Sequence, residues 1–347
     1  MPIHTALGPI EPSDLGPTSM HEHVFVDSRI WLEPSAEPNA PPPTAPVSLE
    51  TLGFLRWNPH SLEDNLIVDD PEVCVSELRR VAAAGGSGIV DMTNIGLGRR
   101  PADLPDVARR SGVHIMVGCG FYVHDSHPGW VDEASDDELE AIMVRDLVEG
   151  IDGTEVRAAL IGEIGTSSPV TAREERVVRA AGRAGARTGA MVNIHLDARG
   201  AHALEILDML TAGGQPADRV VFSHLDERLD LGYHREIAAA GAIIEYDTFG
   251  QEYYFPNFKD PTDEERFVAL RALLEDGLAA QIVLGCDAWI KAVATAYGGT
   301  GIEHLFIRVA PTLRSRYGIG QEAIDQMLVH NPRRLLDRPP ADSGRID

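Results

Sequence analysis

The sequence predicts an α/β protein folded as a (β/α)8 TIM barrel, with a binuclear metal centre at the C-terminal ends of its strands. Three observations carry this expectation. Short apolar, β-branched runs alternate with amphipathic segments along almost the whole chain, as successive βα units do. Eight such runs can be placed between Ser19 and Asp287. Histidines and acids stand where several of these runs end, and in βα barrels the chemistry lies at that end of the strands.

The candidate strands of the first half are Ser19 to Val26, Gly88 to Thr93, Val113 to Gly120 and Ala158 to Glu163. The second half supplies Ala190 to His195, Arg219 to His224, Ala242 to Asp247 and Gln281 to Asp287. Helices fit between them. Ser135 to Glu138, Thr171 to Glu174 and Thr262 to Glu265 each have the S/T-x-x-E spacing, in which hydroxyl and carboxylate satisfy free amides of a first helical turn. After the last of these, Phe267, Leu270, Leu273 and Leu274 recur at three- and four-residue steps, so one face of that helix should lie against the barrel.

The rhythm breaks between Trp31 and Asn65, a stretch that includes Pro41, Pro42 and Pro43. It reads as an insertion in the first βα loop, because the segments on both sides belong to the same βα series; a linker between domains is the alternative. The expected organisation is one barrel domain over residues 1–340, an insertion at about 31–65 and a short polar tail at 341–347.

Composition narrows the function classes. A chain with 44% hydrophobic and 24% charged residues is that of an ordinary globular enzyme. With 54 acidic against 30 basic residues, nucleic acid and anionic membrane surfaces are repelled, and neither is expected as a partner. No apolar run reaches the roughly 18 residues that span a bilayer. Met1 to Ile10 lacks the basic start and apolar stretch of a secretory signal, so a cytoplasmic location is the expectation. Cys74, Cys119 and Cys286 are widely spaced and odd in number, which predicts free thiols. Lysine occurs only as Lys259 and Lys291.

The candidate chemistry rests on six residues. His21 and His23 flank Glu22, and residues two apart on a strand face the same side, so both rings can reach one ion. A lone H-x-H pair is as readily a surface or core feature. Glu163 follows Leu160, Ile161 and Gly162, and a carboxylate there needs a cation, an arginine or a helix amide as partner. His195 and His224 close two consecutive strands in the same way, which fits convergence on an ion. Asp287 closes the last strand, as a ligand and proton acceptor or as the cap of the next segment. Four histidines and two carboxylates together suffice for two ions.

With His-x-His in Met20-His21-Glu22-His23, a carboxylate in Ile161-Gly162-Glu163-Ile164-Gly165, the strand ends at His195 and His224, and Gly285-Cys286-Asp287, the chain resembles the phosphotriesterase family of the amidohydrolase superfamily over nearly its full length. Tyr297-Gly298-Gly299 and His330-Asn331-Pro332 are similar to family elements as well. The resemblance implies two divalent ions, zinc first with manganese, iron or cobalt as alternatives, bridged by Glu163 and a hydroxide. It assigns His21, His23 and Asp287 to the buried ion, and His195 and His224 to the more exposed one. Many members bridge the ions with a carboxylated lysine; here neither lysine is near that strand, and Glu163 takes the place, as in the glutamate-bearing, lactonase-like branch.

The proton-relay histidine of true phosphotriesterases is replaced, since the stretch after the seventh strand reads Glu245-Tyr246-Asp247-Thr248-Phe249-Gly250. Gly120-Phe121-Tyr122 resembles the branch in which a tyrosine overhangs the metals, with a packed aromatic as the alternative. The resemblance therefore implies hydroxide attack on the carbonyl of a small lactone, ester or amide, with Asp287 and Tyr122 catalytic. Organophosphate hydrolysis and a barrel that binds without turnover are the rival readings. Arg99 and Arg199 are loop candidates for an anionic substrate group, although solvated surface arginines are the commoner case. A homodimer is implied by analogy alone.

Overall fold

The computed structural model describes residues 2–338 apart from 199, 256 and 257. Arg199 and the 341–347 tail therefore lie outside the described residues. Eight parallel strands form one sheet in sequence order. They are β1 (Thr18–Glu22), β2 (Gly88–Asp91), β3 (His114–Cys119), β4 (Leu160–Gly165), β5 (Val192–His195), β6 (Val220–Phe222), β7 (Ile243–Tyr246) and β8 (Ile282–Leu284). The sheet curls until β8 meets β1, where the Asp287 amide donates to the His21 carbonyl at 3.0 Å. Gly285 allows that approach, because a Cβ on it would stand 2.9 Å from the His21 Cβ and carbonyl oxygen.

The crossovers are α1 (Pro71–Ala83), α2 (Leu104–Ser111), α3 (Asp136–Val148), α4 (Ala172–Thr188), α5 (Ala203–Ala212), α6 (Leu231–Ala239) and α7 (Asp263–Glu275). After β8, a π-helical stretch, Leu305–Val309, runs into α8 (Ala310–Ser315). The three S/T-x-x-E segments are reciprocal capping boxes at the starts of α3, α4 and α7. On α7, Phe267, Leu270 and Leu273 are buried and Leu274 half-buried, as their spacing requires.

Strand periodicity sorts the barrel interior into layers. Val90, Met116, Leu160, Val221, Ile243 and Val283 belong to one apolar cluster, sealed from below by Ile3, Leu335 and Leu336. Ile89, Ile115, Ile161, Ile194, Phe222, Ile244 and Leu284 belong instead to the cluster shared with the helices. Two residues further along β5, β6 and β7 than Met191, Val221 and Ile243 come Asn193, Ser223 and Glu245, all fully buried. One more step of two, on β5 and β7, reaches His195 and Asp247. A period of two thus carries each strand from an oily floor to a polar mouth.

Seven of the eight strands are shorter than the sequence suggests, and β4 is shifted two residues toward the mouth, to Leu160–Gly165. Val26 and Asp27 are not part of β1 but pair antiparallel with Val68 and Ile67, forming a small ribbon that brackets the proline-rich excursion. Within it only Leu52–Leu55 is α-helical, with 3-10 turns at Arg29–Trp31 and Glu63–Leu66. Cys74, Cys119 and Cys286 are buried free thiols. No helix among the described residues is long and apolar enough to cross a membrane.

Candidate metal centre and the cavity above it

The six sequence-selected residues converge at the barrel mouth. Three triads, His21–His23–Glu163, His21–His224–Asp247 and Glu163–His195–His224, each bring their ligand atoms within 4.8 Å of one another. Two of the strands that deliver them change register where the residues stand, between Ser19 and Glu22 on β1 and between Ile161 and Ile164 on β4. Such irregularities re-aim a side chain without breaking the sheet. Glu163 is the fourth residue of β4 and not its end; the strand continues to Gly165. Gly162 before it has φ +136°, and a Cβ there would meet Asn193 at 2.7 Å.

His224 and Asp287 stand past the ends of their strands, and both adopt left-handed backbone, φ 60° and 47°. For residues other than glycine that costs about 1–3 kcal/mol each and persists where the surroundings enforce it. At Asp287 the surroundings are visible. Glu22 accepts the Cys286 amide at 3.1 Å and the Ala288 amide at 3.0 Å, and Gln251 donates to the Asp287 carbonyl at 2.6 Å. Burial, and then the Asp287 charge, push Glu22 up to about 8 against the hydrogen bonds it accepts from the Ser19 hydroxyl and the Ala288 amide.

Glu163 lies between two groups of histidines. Its Oε2 is 2.9 Å from His195 Nδ1, 3.4 Å from His224 Nε2 and 3.7 Å from His21 Nε2, while Oε1 is 3.5 Å from His23 Nε2. Burial opposes its charge, but His195, His224 and His21 hold the carboxyl well below its ordinary range. Asp287 Oδ1 is 3.2 Å from His23 Nε2 and 3.7 Å from His21 Nε2.

The rear nitrogens of three rings have partners. His23 Nδ1 meets the Thr93 hydroxyl at 2.8 Å. Asp247 Oδ2 is 3.0 Å from His21 Nδ1, and its Oδ1 is 3.1 Å from His224 Nδ1. Glu245 backs His21 at 3.4 Å and is itself held by Asn193 at 2.6 Å and Ser223 at 2.8 Å. Burial disfavours a charge on His21 and His224, yet Asp247 raises both rings well above their ordinary value. Sequence reasoning missed Asp247, Glu245 and Glu22 as members of the site. The signal was present for the first two, carboxylates two apart on one strand and so on the same face.

These donors fit divalent metal ions. His21 Nε2 is buried without a hydrogen-bond partner although two carboxylates stand 3.7 Å away, as a nitrogen directed at a cation between them would be. Imidazole and carboxylate suit zinc, manganese, iron or cobalt.

Above this centre opens a cavity of about 230 Å³. Tyr122 lines it, with its hydroxyl 3.5 Å from His195 Nε2 and its ring 4.8 Å from that imidazole. Burial, then Glu163 and Asp287, push the phenol well above its ordinary value, so it is a neutral donor. The excursion supplies Trp31, Glu33 and His60, and the loops after β7 and β8 supply Phe255, Phe258, Asp260 and Trp289. Arg99 is not among the residues that line it: its guanidinium is tied to Asp146 at 2.7 Å and Asp152 at 2.6 Å with the side chain 9% exposed, so it is an enclosed ion-pair partner and not a solvated arginine.

A sequence model of the phosphotriesterase family matches residues 1–336. The N-acetyltaurine hydrolase of Danio rerio is 35% identical over 340 residues, covering 96% of this chain and 97% of that protein. A resiniferatoxin-binding protein from Rhodobacter sphaeroides superposes with TM-score 0.94 at 36% identity, over 97% of this chain and 95% of that one. The phosphotriesterase homology protein of Escherichia coli, solved with phosphate in its active site, gives TM-score 0.78 at 29% identity, over 93% and 99% of the two chains.

Proposed function

The chain belongs to the phosphotriesterase family of enzymes, and from that premise we propose that it is a binuclear metal-dependent hydrolase acting on the carboxylic carbonyl of a small amide, ester or lactone. The observation that carries this reading is the position of Glu163 between both groups of histidines, with Oε1 toward His23 and Oε2 toward His195, His224 and, at 3.7 Å, His21. A carboxylate so placed can bridge two ions, with His21, His23 and Asp287 on one side and His195 and His224 on the other. When bound, two divalent ions supply an attacking hydroxide near neutral pH and polarise the carbonyl.

The chain's own residues do the rest. Asp287 takes the nucleophile's proton and returns it to the departing nitrogen or oxygen as the acyl bond breaks. Tyr122, neutral and directed into the cavity, donates a hydrogen bond to the substrate oxygen. Asp247 and Glu245 keep the imidazoles oriented. Carbon is favoured over phosphorus by the relatives: the Danio rerio protein is named for hydrolysis of an N-acetyl compound. Attack at phosphorus is the second reading, and phosphate in the active site of the Escherichia coli homologue favours it.

The test is a hydrolysis panel on metal-reconstituted protein, with N-acyl amines, aryl esters, lactones and paraoxon, and Asp287→Asn as control. Turnover of acyl compounds that is lost in the variant supports the proposal. Paraoxon as the dominant substrate supports the second reading, and no turnover with bound metal supports a binding protein.

A further inference from the structure

The cavity has an inner wall of candidate metal ligands and an outer wall of different character. Aromatic rings run round the outer wall in contact. Trp31 stacks near His60 with centroids 6.1 Å apart, His60 lies 5.0 Å from Phe255 and 5.6 Å from Trp289, and Phe255 stacks on Phe258 at 4.4 Å. Carboxyls interrupt the rings. Glu33, Glu227 and Asp260 all line the same cavity, and among the described lining residues there is no lysine or arginine.

Asp260 is the decisive group. It is 2% exposed, its Oδ2 accepts the Tyr253 amide at 3.1 Å, and its Oδ1 is buried with no hydrogen-bond partner. A buried carboxylate oxygen left unpaired is costly unless a cation meets it. The buried Arg266 forms its ion pairs with Asp226 and Asp263, each at 3.2 Å, and acts on Asp260 only through its charge, so burial still pushes that carboxyl up to about 6. His60 supplies no positive charge at neutral pH, because burial pushes it down to about 4. Burial, and then the Asp260 charge, push Glu227 well above its ordinary range, as for acids crowded together without a cation between them. Ring faces carry negative quadrupole potential, so rings and carboxyls together favour a cation over an anion.

We propose that this outer compartment is a cation subsite, and that the substrate is an acylated amine or ester whose group remote from the scissile carbonyl is positively charged, held by Asp260 and Glu227 between the aromatic rings. This rests on the proposed carbonyl hydrolysis and names its substrate class. It also separates this chain from relatives named for N-acetyltaurine, whose remote group is a sulfonate.

Three N-acetyl compounds with the same two-carbon reach test it on the metal-loaded enzyme: N-acetylethylenediamine, N-propylacetamide and N-acetyltaurine. The expected order of kcat/KM is ammonium above neutral above sulfonate, by about tenfold at each step and mainly through KM. Glu227→Gln should cut the ammonium-to-neutral ratio about fivefold or more. Equal losses on both substrates would mean that Glu227 only tunes the metal centre, and a preference for sulfonate would overturn the subsite outright. Binding without turnover keeps this test independent of the proposed chemistry. Benzyltrimethylammonium should quench the tryptophan fluorescence at a Kd about tenfold below that of phenylmethanesulfonate. Equal or tighter sulfonate binding refutes the subsite even if acyl compounds are hydrolysed, whereas tight ammonium binding with no acyl hydrolysis would refute the chemistry alone.

Discussion

Asp247 holds His21 and His224 with its two oxygens, 3.0 Å from one ring and 3.1 Å from the other. One residue thereby sets the orientation of an imidazole in each half of the candidate metal centre. Asp247→Asn keeps the size but replaces one acceptor with a donor. Metal affinity is expected to fall about 10- to 100-fold. Activity should return when the ion is supplied in excess, which competitive chelator titration and metal-dependent rates would reveal. Unchanged affinity would show that Asp247 is a bystander.

Arg266 reaches the same centre indirectly. Fully buried, it lies 3.2 Å from Asp226, which in turn accepts the Asp247 and Thr248 amides at 3.1 and 3.0 Å. Arg266→Met would leave Asp226 without its cation, and such breakage costs about 3–5 kcal/mol. Burial already pushes Asp226 up to about 7 with the arginine present. Urea denaturation of variant and parent measures the loss; a difference below about 1 kcal/mol would contradict the assignment.

Tyr122→Phe removes one donor from the cavity and leaves the six candidate ligands in place. The rate constant kcat/KM should drop about three- to tenfold, the worth of a single hydrogen bond, with metal content unchanged by elemental analysis. A drop accompanied by metal loss would instead mean that the tyrosine packs the site.

His234 offers a pH prediction away from the metals. It is fully buried, donates from Nε2 to the Arg228 carbonyl at 3.1 Å and meets the Tyr246 hydroxyl at 3.0 Å through Nδ1. Burial first, against the weaker pull of these neighbours, brings it down to about 4 from 6.5. The folded state therefore prefers the neutral ring. Its stabilisation is complete above pH 6.5 and is lost as the pH falls toward 4. From pH 7.5 to pH 5.0 the parent should lose about 2 kcal/mol more than His234→Gln. Parallel pH profiles for the two proteins would refute this.

The barrel was legible because a period of two survives in every strand and helix starts announce themselves through Ser135, Thr171 and Thr262. The six candidate ligands were legible because each sits in the last residues of a strand or just past it, where position separates a site from a surface; His21 and Glu163 stand inside their strands and the other four at or beyond the end. The supports were harder to read. Glu22 grips the amides on both sides of Asp287, but nothing local to Met20-His21-Glu22-His23 says that its partners lie at the far end of the chain, since β1 and β8 meet only when the barrel closes. The strand ends were drawn too long at Val26, His224 and Asp287, because an apolar run does not record where the backbone turns left-handed. The aromatic wall was not foreseen at all: Trp31 and His60 come from the proline-rich excursion, Phe255 and Trp289 from other loops, and no periodic pattern links them.

The role of Glu163 as an unmodified bridge is the claim on which the rest depends. Apo-protein should be reconstituted with zinc in buffer freed of carbon dioxide, and its metal content and hydrolytic rate measured with and without bicarbonate. The account predicts about two ions per chain and full activity with no bicarbonate. One ion or none, or activity that appears only when bicarbonate is added, would contradict it.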